Sequence, residues 1–400
     1  MWFIYVAAGL ALLAASGIYA RRRIAASLAH FGVRTRTIRI VRWAIIWLLF
    51  GFPLLMILSV VISLALGRSS FPRFDGMLGA WLLGIPFLWA VLVVMQSVIW
   101  LIAIDIAHAV VRRRRGQATA ARMRAIAVLV VIGAFAIYIP VRVIAERNEL
   151  RMRTHAVGAA TAGSTPFRIA FIADVQQDVH FDAERAREVY DRVNAGKPDV
   201  VLSGGDWINT GPEHIEAAAE TAAALTSRLG TFSVRGDHEH FAYIDRERSV
   251  GEVEAALRRH HIQMLNNEVR WFEHNGKRIA VAFLNYNYIF RSKDDAIDKL
   301  LGGLSGADYK ILVTHQLDRR LASHLENKVD LVLAAHTHGG QINPVVGLVH
   351  VSLARVETAY VDGRYQLGDT TIIVTAGVGY SLIPIRYASP GSVELIELGL

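Results

Sequence analysis

Four long apolar segments in the first 145 residues constrain the fold of this chain more than any other feature. They cover residues 2–20, 41–67, 78–104 and 125–141, and Arg42 is the only Lys, Arg, Asp or Glu within them. Each is about long enough to cross a bilayer hydrocarbon core of roughly 30 Å as a helix. Helices buried in a soluble core seldom run this long without a polar face. We therefore predict an all-α transmembrane region of four helices in residues 1–145.

The charges between these segments predict an orientation. Arginines cluster after the first and third segments, at Arg21–Arg23 and Arg112–Arg115, whereas the middle loop has only Arg68 and Arg73. The positive-inside rule then places the first and third loops in the cytoplasm and everything after residue 141 on the opposite side. The reverse orientation stays open, because four arginines lie soon after the fourth segment. They are Arg142, Arg147, Arg151 and Arg153.

A cleaved signal peptide is the alternative for the first segment alone. It is disfavoured because the basic cluster follows the apolar stretch, whereas a signal peptide carries its charge before it. The multi-pass interpretation makes this a cell-membrane protein whose later part lies outside the cytoplasm.

Basic character is confined to the membrane region. Residues 1–145 carry 16 Arg, no Lys and two acids, about +14, while the whole chain is +8, which leaves about −6 for the remainder. A net acidic remainder disfavours a nuclease and makes nucleic acid an unexpected partner. The absence of cysteine excludes thiolate ligands and thiol catalysis.

The pattern changes after a predicted flexible linker at residues 146–166, which is rich in small residues toward its end. In 167–400, β-type runs alternate with helical candidates at 183–194, 213–228 and 250–260, and further strands are expected after Gly340. This alternation predicts an α/β domain whose ligands gather at the carboxyl ends of the strands. The predicted strands are 167–173, 199–203, 231–234, 279–284, 311–314, 330–335, 348–353, 371–375 and 392–398.

Acidic and histidine residues follow directly after several of these strands. Singly, each is as easily a turn or capping residue. Jointly they form a set of oxygen and nitrogen donors without sulfur, which suits Mn, Fe or Zn better than Ca. The set predicts a site for two divalent cations, built from Asp174, Asp206, Asp237 with His238, His315, and His336 with His338.

The same residues resemble the motifs of the calcineurin-like metallophosphoesterases. The corresponding pieces are Asp174-Val175-Gln176, Gly205-Asp206-Trp207-Ile208-Asn209, Gly236-Asp237-His238-Glu239, His315, and Ala335-His336-Thr337-His338. Gly339-Gly340-Gln341-Ile342 and Pro384-Ile385-Arg386 are similar to the membrane-associated branch of that family. The resemblance implies a four-layer α/β/β/α sandwich in residues 167–400.

It also implies a role for each matching residue. Asp206 would bridge two ions, the first also bound by Asp174 and His338 and the second by Asp237, His315 and His336. His238 would contact the phosphate and help to protonate the leaving oxygen, with the neighbouring acid as a candidate orienter. Asn209 and Gly339 would bind substrate beside His238.

Three residues depart from the family pattern. Gln176 replaces a histidine, so the first ion gains at most a weak amide ligand there. Asp237 replaces an asparagine and adds negative charge at the second ion, and Ala335 replaces a glycine. We hypothesise that Asp178 or His180, further along the same loop, supplies the missing first-site ligand.

The resulting expectation is a membrane-bound hydrolase that cleaves a phosphate ester by attack of a metal-bridging hydroxide. Monoester and diester substrates, including lipid-linked ones, remain open. One alternative is a lipid or nucleotide-glycolipid pyrophosphatase. Another is a membrane sensor or scaffold whose metallophosphoesterase domain has lost activity. The sequence does not fix the oligomeric state.

Overall fold

The structure, a computed structural model, describes residues 2–66, 77–158, 165–381 and 383–400. Its backbone contacts divide the chain into two compact units. The first comprises Met1–Glu146 and Asn343–Val351, and the second comprises Arg147–Ile342 and Ser352–Leu400.

The first unit is mainly helical. Its long helices are α1 Trp2–His30, α2 Thr35–Ala65, α3 Ile85–Arg115 and α4 Gln117–Glu146, and two short helical segments, Met77–Gly79 and Ala80–Gly84, lead into α3. In the described part of the chain, three helical stretches are long and apolar enough to cross a membrane, namely Thr35–Ser59, Ala80–Arg115 and Gln117–Glu146.

These three stretches overlap the second, third and fourth apolar segments of the sequence. Gly67, at the end of the second segment, lies outside the described residues. The first segment lies in α1, which is not among the three, so a fourth crossing stays a prediction.

The helical unit packs through small and branched side chains and turns large apolar ones outward. Trp43, Leu54 and Ile57 on α2 are 65%, 60% and 63% exposed. Apolar surface on this scale is expected where a helix contacts lipid rather than water. The buried set is Ala20, Leu49, Ala90, Val94, Leu101 and Val128.

The second unit contains two six-stranded sheets among its described residues. Its strands are β1 Leu150–Gly158, β2 Phe167–Ile172, β3 Val200–Ser203, β4 Thr231–Ser233, β5 Ile262–Met264, β6 Glu268–His274, β7 Lys277–Leu284, β8 Tyr309–Thr314, β9 Leu331–Ala334, β10 Gly363–Leu367, β11 Thr370–Val374 and β12 Gly391–Gly399.

The strand order is β1-β12-β2-β3-β4-β5 in one sheet and β10-β11-β9-β8-β7-β6 in the other. Strands β2 to β5 run parallel to one another, as do β7, β8, β9 and β11. Parallel neighbours bring their carboxyl ends to one edge of each sheet, which is where the polar motifs lie.

Side-chain alternation along the strands sorts the apolar residues into three clusters. Ile169 and Phe171 of β2 join residues of the other sheet, such as Phe283, in one cluster. Ala170 and Ile172 point to the opposite face and pack with the helices Ala183–Ala195 (α5), Ile215–Ala222 (α6) and Arg246–Arg259 (α7). The other sheet packs in the same way with Asp294–Gly302 (α8) and Arg319–Leu325 (α9).

Aspartates fix the start of three of these helices. Asp182, Asp245 and Asp318 each accept a hydrogen bond from the backbone N–H three residues later. Such N-caps satisfy one of the free amides of the first turn. The helices α8 and α9 and the strands β5, β6 and β10 were not anticipated from the sequence.

The predicted linker 146–166 is corrected over residues 150–158. These residues form β1, which pairs in parallel with β12 from Leu150 opposite Gly391 to Gly158 opposite Gly399. The reason is a charged network: Glu394, fully buried, accepts hydrogen bonds from Arg153 and lies 2.7 Å from Nε2 of His155. Residues 159–164 of the predicted linker lie outside the described residues.

Candidate metal centre

Five strand ends deliver the motif residues to one place. Asp174, Asp206 and Asp237 follow β2, β3 and β4 of one sheet, and His315 and His336 follow β8 and β9 of the other. The two sets meet, since Nε2 of His315 lies 3.5 Å from Oδ2 of Asp206. The site is therefore assembled from both sheets.

One group of donors consists of Asp237, His315 and His336. Oδ2 of Asp237 lies 2.7 Å from Nδ1 of His336 and 3.3 Å from Nε2 of His315. One ligand atom from each of the three residues falls within 4.8 Å of the others. A carboxylate with two imidazoles is a donor set suited to a divalent transition metal.

A second group consists of Asp174, Asp206 and His315, again with one ligand atom of each within 4.8 Å of the others. All three side chains are buried. Gln176 lies beside this group and its Nε2 donates to Oδ2 of Asp206 over 3.2 Å. His315 is thus shared by both groups, while His338 belongs to neither among the described residues.

Several buried polar atoms at this site have no hydrogen-bond partner among the described residues, which bears on whether the site fits metal ions. Within the described chain, no hydrogen bond is made by Oδ2 of Asp174, Oε1 of Gln176, Oδ1 of Asn209 or Nδ1 of His338. An unsatisfied buried polar atom typically costs about 1–3 kcal/mol, so several around one site are expected only where a ligand completes them. The residues present therefore fit a metal centre.

The backbone is left-handed at several of these residues. φ is +53° at Asp174, +60° at Asp206, +73° at His336 and +50° at His338. Each such residue costs on the order of 1 kcal/mol, and strain of this kind concentrates at functional sites. Close approach also requires glycine, because a Cβ at Gly236 would lie 2.0 Å from Oδ1 of Asp206.

The site combines carboxylates and imidazoles with strongly shifted pKa values. Burial raises the pKa of Asp174 to about 7 against the opposing charge of His315. Burial would lower the pKa of His336, but its hydrogen bonds to Asp237 and Glu357 raise that pKa to about 9. Burial would raise the pKa of Asp237, yet His315 and His336 hold it well below its usual range. The raised pKa of His336 and the lowered pKa of Asp237 favour an ion pair between these side chains, whose Nδ1 and Oδ2 atoms are 2.7 Å apart.

Residues 167–340 match the family model described as calcineurin-like phosphoesterase. The matched segment contains every clustered donor described above. It is a calcineurin-like metallophosphoesterase domain. The prediction made from the motifs is confirmed at the level of the domain.

Proteins similar to this chain carry the same designation. A Caenorhabditis elegans protein named as a metallophosphoesterase, F40B5.2, is 31% identical over 236 residues, 57% of this chain and 47% of its own length. The transmembrane protein with metallophosphoesterase domain of Bos taurus is 29% identical over 239 residues, 55% of this chain and 51% of its own length. The chain thus spans about half the length of these relatives.

Among solved structures, that of a hypothetical protein from Thermus thermophilus matches over 56% of this chain and 88% of its own. Its sequence identity to this chain is 17% and its TM-score is 0.32.

Within the metallophosphoesterase domain, His238 is oriented by a carbonyl group. Its Nδ1 lies 2.5 Å from the backbone oxygen of Asn209, and its Nε2 lies 4.0 Å from Oδ2 of Asp206. The expected orienter, Glu239, instead accepts the backbone N–H groups of Asp206, Trp207 and Gly236. Glu239 therefore joins the two loops that carry Asp206 and His238.

The hypothesis that Asp178 or His180 supplies the missing first-site ligand stays a prediction, and the contacts of Asp178 argue against it. Oδ1 of Asp178 accepts the backbone N–H groups of His180 and Phe181, and Oδ2 accepts Nδ2 of Asn209. Both oxygens are occupied in holding the loop and Asn209. Neither Asp178 nor His180 belongs to the donor groups found among the described residues.

The loop that carries His338 and Gly339 is held by a buried arginine. The guanidinium of Arg386 donates to backbone oxygens of His338, Ala376, Gly379 and Ser389. Burial lowers its pKa to about 10, and its charge acts with burial to lower the pKa of His338 well below the usual value. His338 is thus kept neutral, the form that can bind a metal.

Two residues of this environment escaped sequence reasoning. Glu357 places Oε1 3.3 Å from Nε2 of His336 and also accepts from Gln316. No motif marks it, and only its position after an irregular segment brings it to the site. The sequence marks Arg386 only as part of a motif that resembles the family. Its hydrogen bonds to backbone oxygens are evident only from the fold.

Proposed function

We propose that this domain is a metal-dependent phosphoesterase that holds two divalent cations of the Mn, Fe or Zn type. The observation that carries the proposal is the pair of overlapping donor groups, Asp237–His315–His336 and Asp174–Asp206–His315, in a domain of the metallophosphoesterase family. Two groups sharing a member fit two neighbouring ions better than one.

The assignment of ligands combines the two donor groups with the family resemblance, which alone adds His338. Asp237, His315 and His336 hold one cation, and Asp174, Asp206 and His338 hold the other, with Gln176 as a weak additional donor. Cations in such a site neutralise phosphate oxygens and lower the pKa of water. Asn209 and Gly339 flank the phosphate position.

His238 supplies the proton chemistry in this proposal. Its Nδ1 donates to the carbonyl of Asn209. In the imidazolium form Nε2 also carries a proton, which it would give to the leaving oxygen, and the ring would return to its neutral form. The ring stays in place because Nδ1 is anchored, and the backbone N–H of His238 also donates to Oδ1 of Asp206 over 2.8 Å. The proposed proton donor His238 and the proposed metal ligand Asp206 are thus held at a fixed separation.

The helical region supports a substrate that resides in a membrane. We take the chain to be a multi-pass protein with the catalytic domain outside the cytoplasm and a phosphate ester on a lipid as substrate. We also take the domain to be a four-layer α/β/β/α sandwich, which the three apolar clusters support. A reporter fused at residue 400 tests the orientation, since activity only in the cytoplasm would reverse it.

The decisive test uses the full chain, because a fragment that starts after β1 would lack the partner of β12. Purified protein loaded with Mn is assayed on nitrophenyl phosphate monoesters and diesters, and its metal content is measured. Asp206→Asn should abolish turnover, whereas Asp191→Asn, a change on the outer helix α5, should not. Bound metal with turnover equal to that of Asp206→Asn would instead support the scaffold.

A further inference from the structure

An antiparallel ribbon interrupts the catalytic domain soon after its last histidine motif. Val345 and Val346 pair with His350 and Val349 across a turn at Gly347 and Leu348. Asn343 follows His338 by five residues, yet the segment Asn343–Val351 belongs to the helical unit.

The ribbon is fastened to α3 by a polar contact. The backbone N–H of Val345 donates to Oε1 of Gln96 over 3.0 Å. Gln96 is fully buried and lies within an apolar stretch that is long enough to span a membrane. A Cβ on Gly347 would lie 3.8 Å from Cδ1 of Ile99, so the turn also lies against α3.

The contact with Gln96 gives a hydrogen-bond partner to a backbone N–H group outside a helix. Such partners are required at membrane depth. In hydrocarbon, no water is present to pair with backbone polar groups, so each of them needs a protein partner. Ribbon pairing and the Gln96 amide satisfy part of that need, and the N–H of Val351 donates to the oxygen of Pro344.

Of the three exposed residues of the ribbon, Leu348 and Val349 are apolar and His350 is polar. Leu348 is 91% exposed, Val349 65% and Val351 38%. No Lys, Arg, Asp or Glu occurs from Gln341 to Ala354. Because transfer of apolar surface out of water is favourable, this surface is more stable in hydrocarbon than in solvent.

A cavity of 370 Å³ adjoins the ribbon within the same unit, with room for part of an acyl chain. The side chains that line it are apolar apart from those of Gln96 and Tyr138. It is formed by residues of α3, α4 and the ribbon, including Trp100, Val130, Phe135, Tyr138, Val345 and Gly347.

We propose that the ribbon Val345–His350 is immersed in the lipid bilayer beside α3, with Leu348 and Val349 in contact with acyl chains. This inference rests on the proposed placement of the helices in a membrane. It makes the segment that follows His338 a lipid-contacting element of the protein. The bilayer is favoured as occupant because the ribbon contacts α3 at Gln96, within a stretch that is apolar and long enough to span a membrane, and because it exposes Leu348 and Val349.

The chain has no cysteine, so a single introduced thiol can report its own surroundings. Full-length Leu348→Cys is labelled with a small fluorophore and reconstituted in phosphatidylcholine vesicles. Ile57→Cys on α2, 63% exposed, serves as the lipid-facing control, and Ile244→Cys in the second unit, 64% exposed, serves as the water-facing control.

Lipids with nitroxide on the acyl chain should remove most of the fluorescence at 348 and 57, whereas aqueous iodide should quench only 244. Iodide quenching at 348 equal to that at 244, or protection from both quenchers, would overturn the proposal. The measurement needs no turnover, so an inactive protein would refute the proposed function and leave this inference standing.

The Gln96 contact is tested in the same preparation. Gln96→Leu removes the acceptor for Val345 and should expose the label at 348 to iodide, whereas Ser97→Ala, at a neighbouring buried position, should not. An unchanged response in Gln96→Leu would contradict the anchoring role.

Discussion

Nε2 of Gln176 donates a hydrogen bond to Oδ2 of Asp206 over 3.2 Å. Gln176 stands where the motif that this sequence resembles has a histidine. A donor N–H, rather than a lone pair, therefore faces Asp206, a carboxylate that we assign to the same cation as Gln176. This departure from the resembled motif thus lies beside a proposed metal ligand.

Gln176→His should strengthen metal binding at the first position. An imidazole offers a stronger donor than an amide, and we expect roughly tenfold tighter Mn binding there. Metal titration followed by calorimetry measures the change. Gln177→His, one residue along and also buried, is the matched control. Equal metal affinity in Gln176→His and the unmodified chain would show that this position does not ligate.

Metal affinity should rise with pH up to about 9. Without metal, Asp237 and Glu357 raise the pKa of His336 to about 9, so below that pH a cation must displace a proton from the ring. Affinity should then increase by at least about tenfold per pH unit below pH 9, because the pKa of His315, a ligand of the same cation, is also raised well above its usual value. Equilibrium dialysis between pH 6 and 10 checks this. A flat profile between pH 6 and 9 would exclude proton displacement from His336.

His238→Gln should slow catalysis while metal content is unchanged. Loss of a general acid typically costs about 10²–10⁴-fold in rate. The loss should be greater for alkyl esters than for nitrophenyl esters, because alkoxide leaving groups need the proton more. His240→Gln, two residues later in the same short helix, is the control. Equal losses on both classes of ester would argue against proton donation.

Arg153→Gln should destabilise the second unit by about 3 kcal/mol at neutral pH, because Glu394 would remain buried without its cation. Burial would raise the pKa of Glu394, but His155 and Arg153 lower it below 4.5. The network therefore stabilises fully above about pH 4.5, and its contribution disappears as the pH falls through the lower folded-state pKa.

Denaturant unfolding at several pH values measures this effect. Arg151→Gln, whose partner Glu149 is 42% exposed, should change stability by well under 1 kcal/mol. An Arg153→Gln cost that is the same at pH 3 and pH 7 would contradict the assignment to Glu394.

Local patterns along the chain were enough to predict the long helices and most of the motif residues. Apolar runs without charge predicted the helices, β-type runs predicted most of the strands that carry the site, and their polar ends named Asp174, Asp206, Asp237, His315 and His336. These features depend on residues close together in the chain, where propensity and periodicity act.

The three-dimensional fold alone shows which residues that are distant in the chain contact one another. β1 is a strand because Arg153 faces Glu394, 241 residues away. Glu239 joins two loops instead of orienting His238, and Glu357 reaches His336. The ribbon after His338 belongs with the helices through Gln96. Such contacts depend on burial and pairing between remote segments, for which no local pattern in the chain provides a signal.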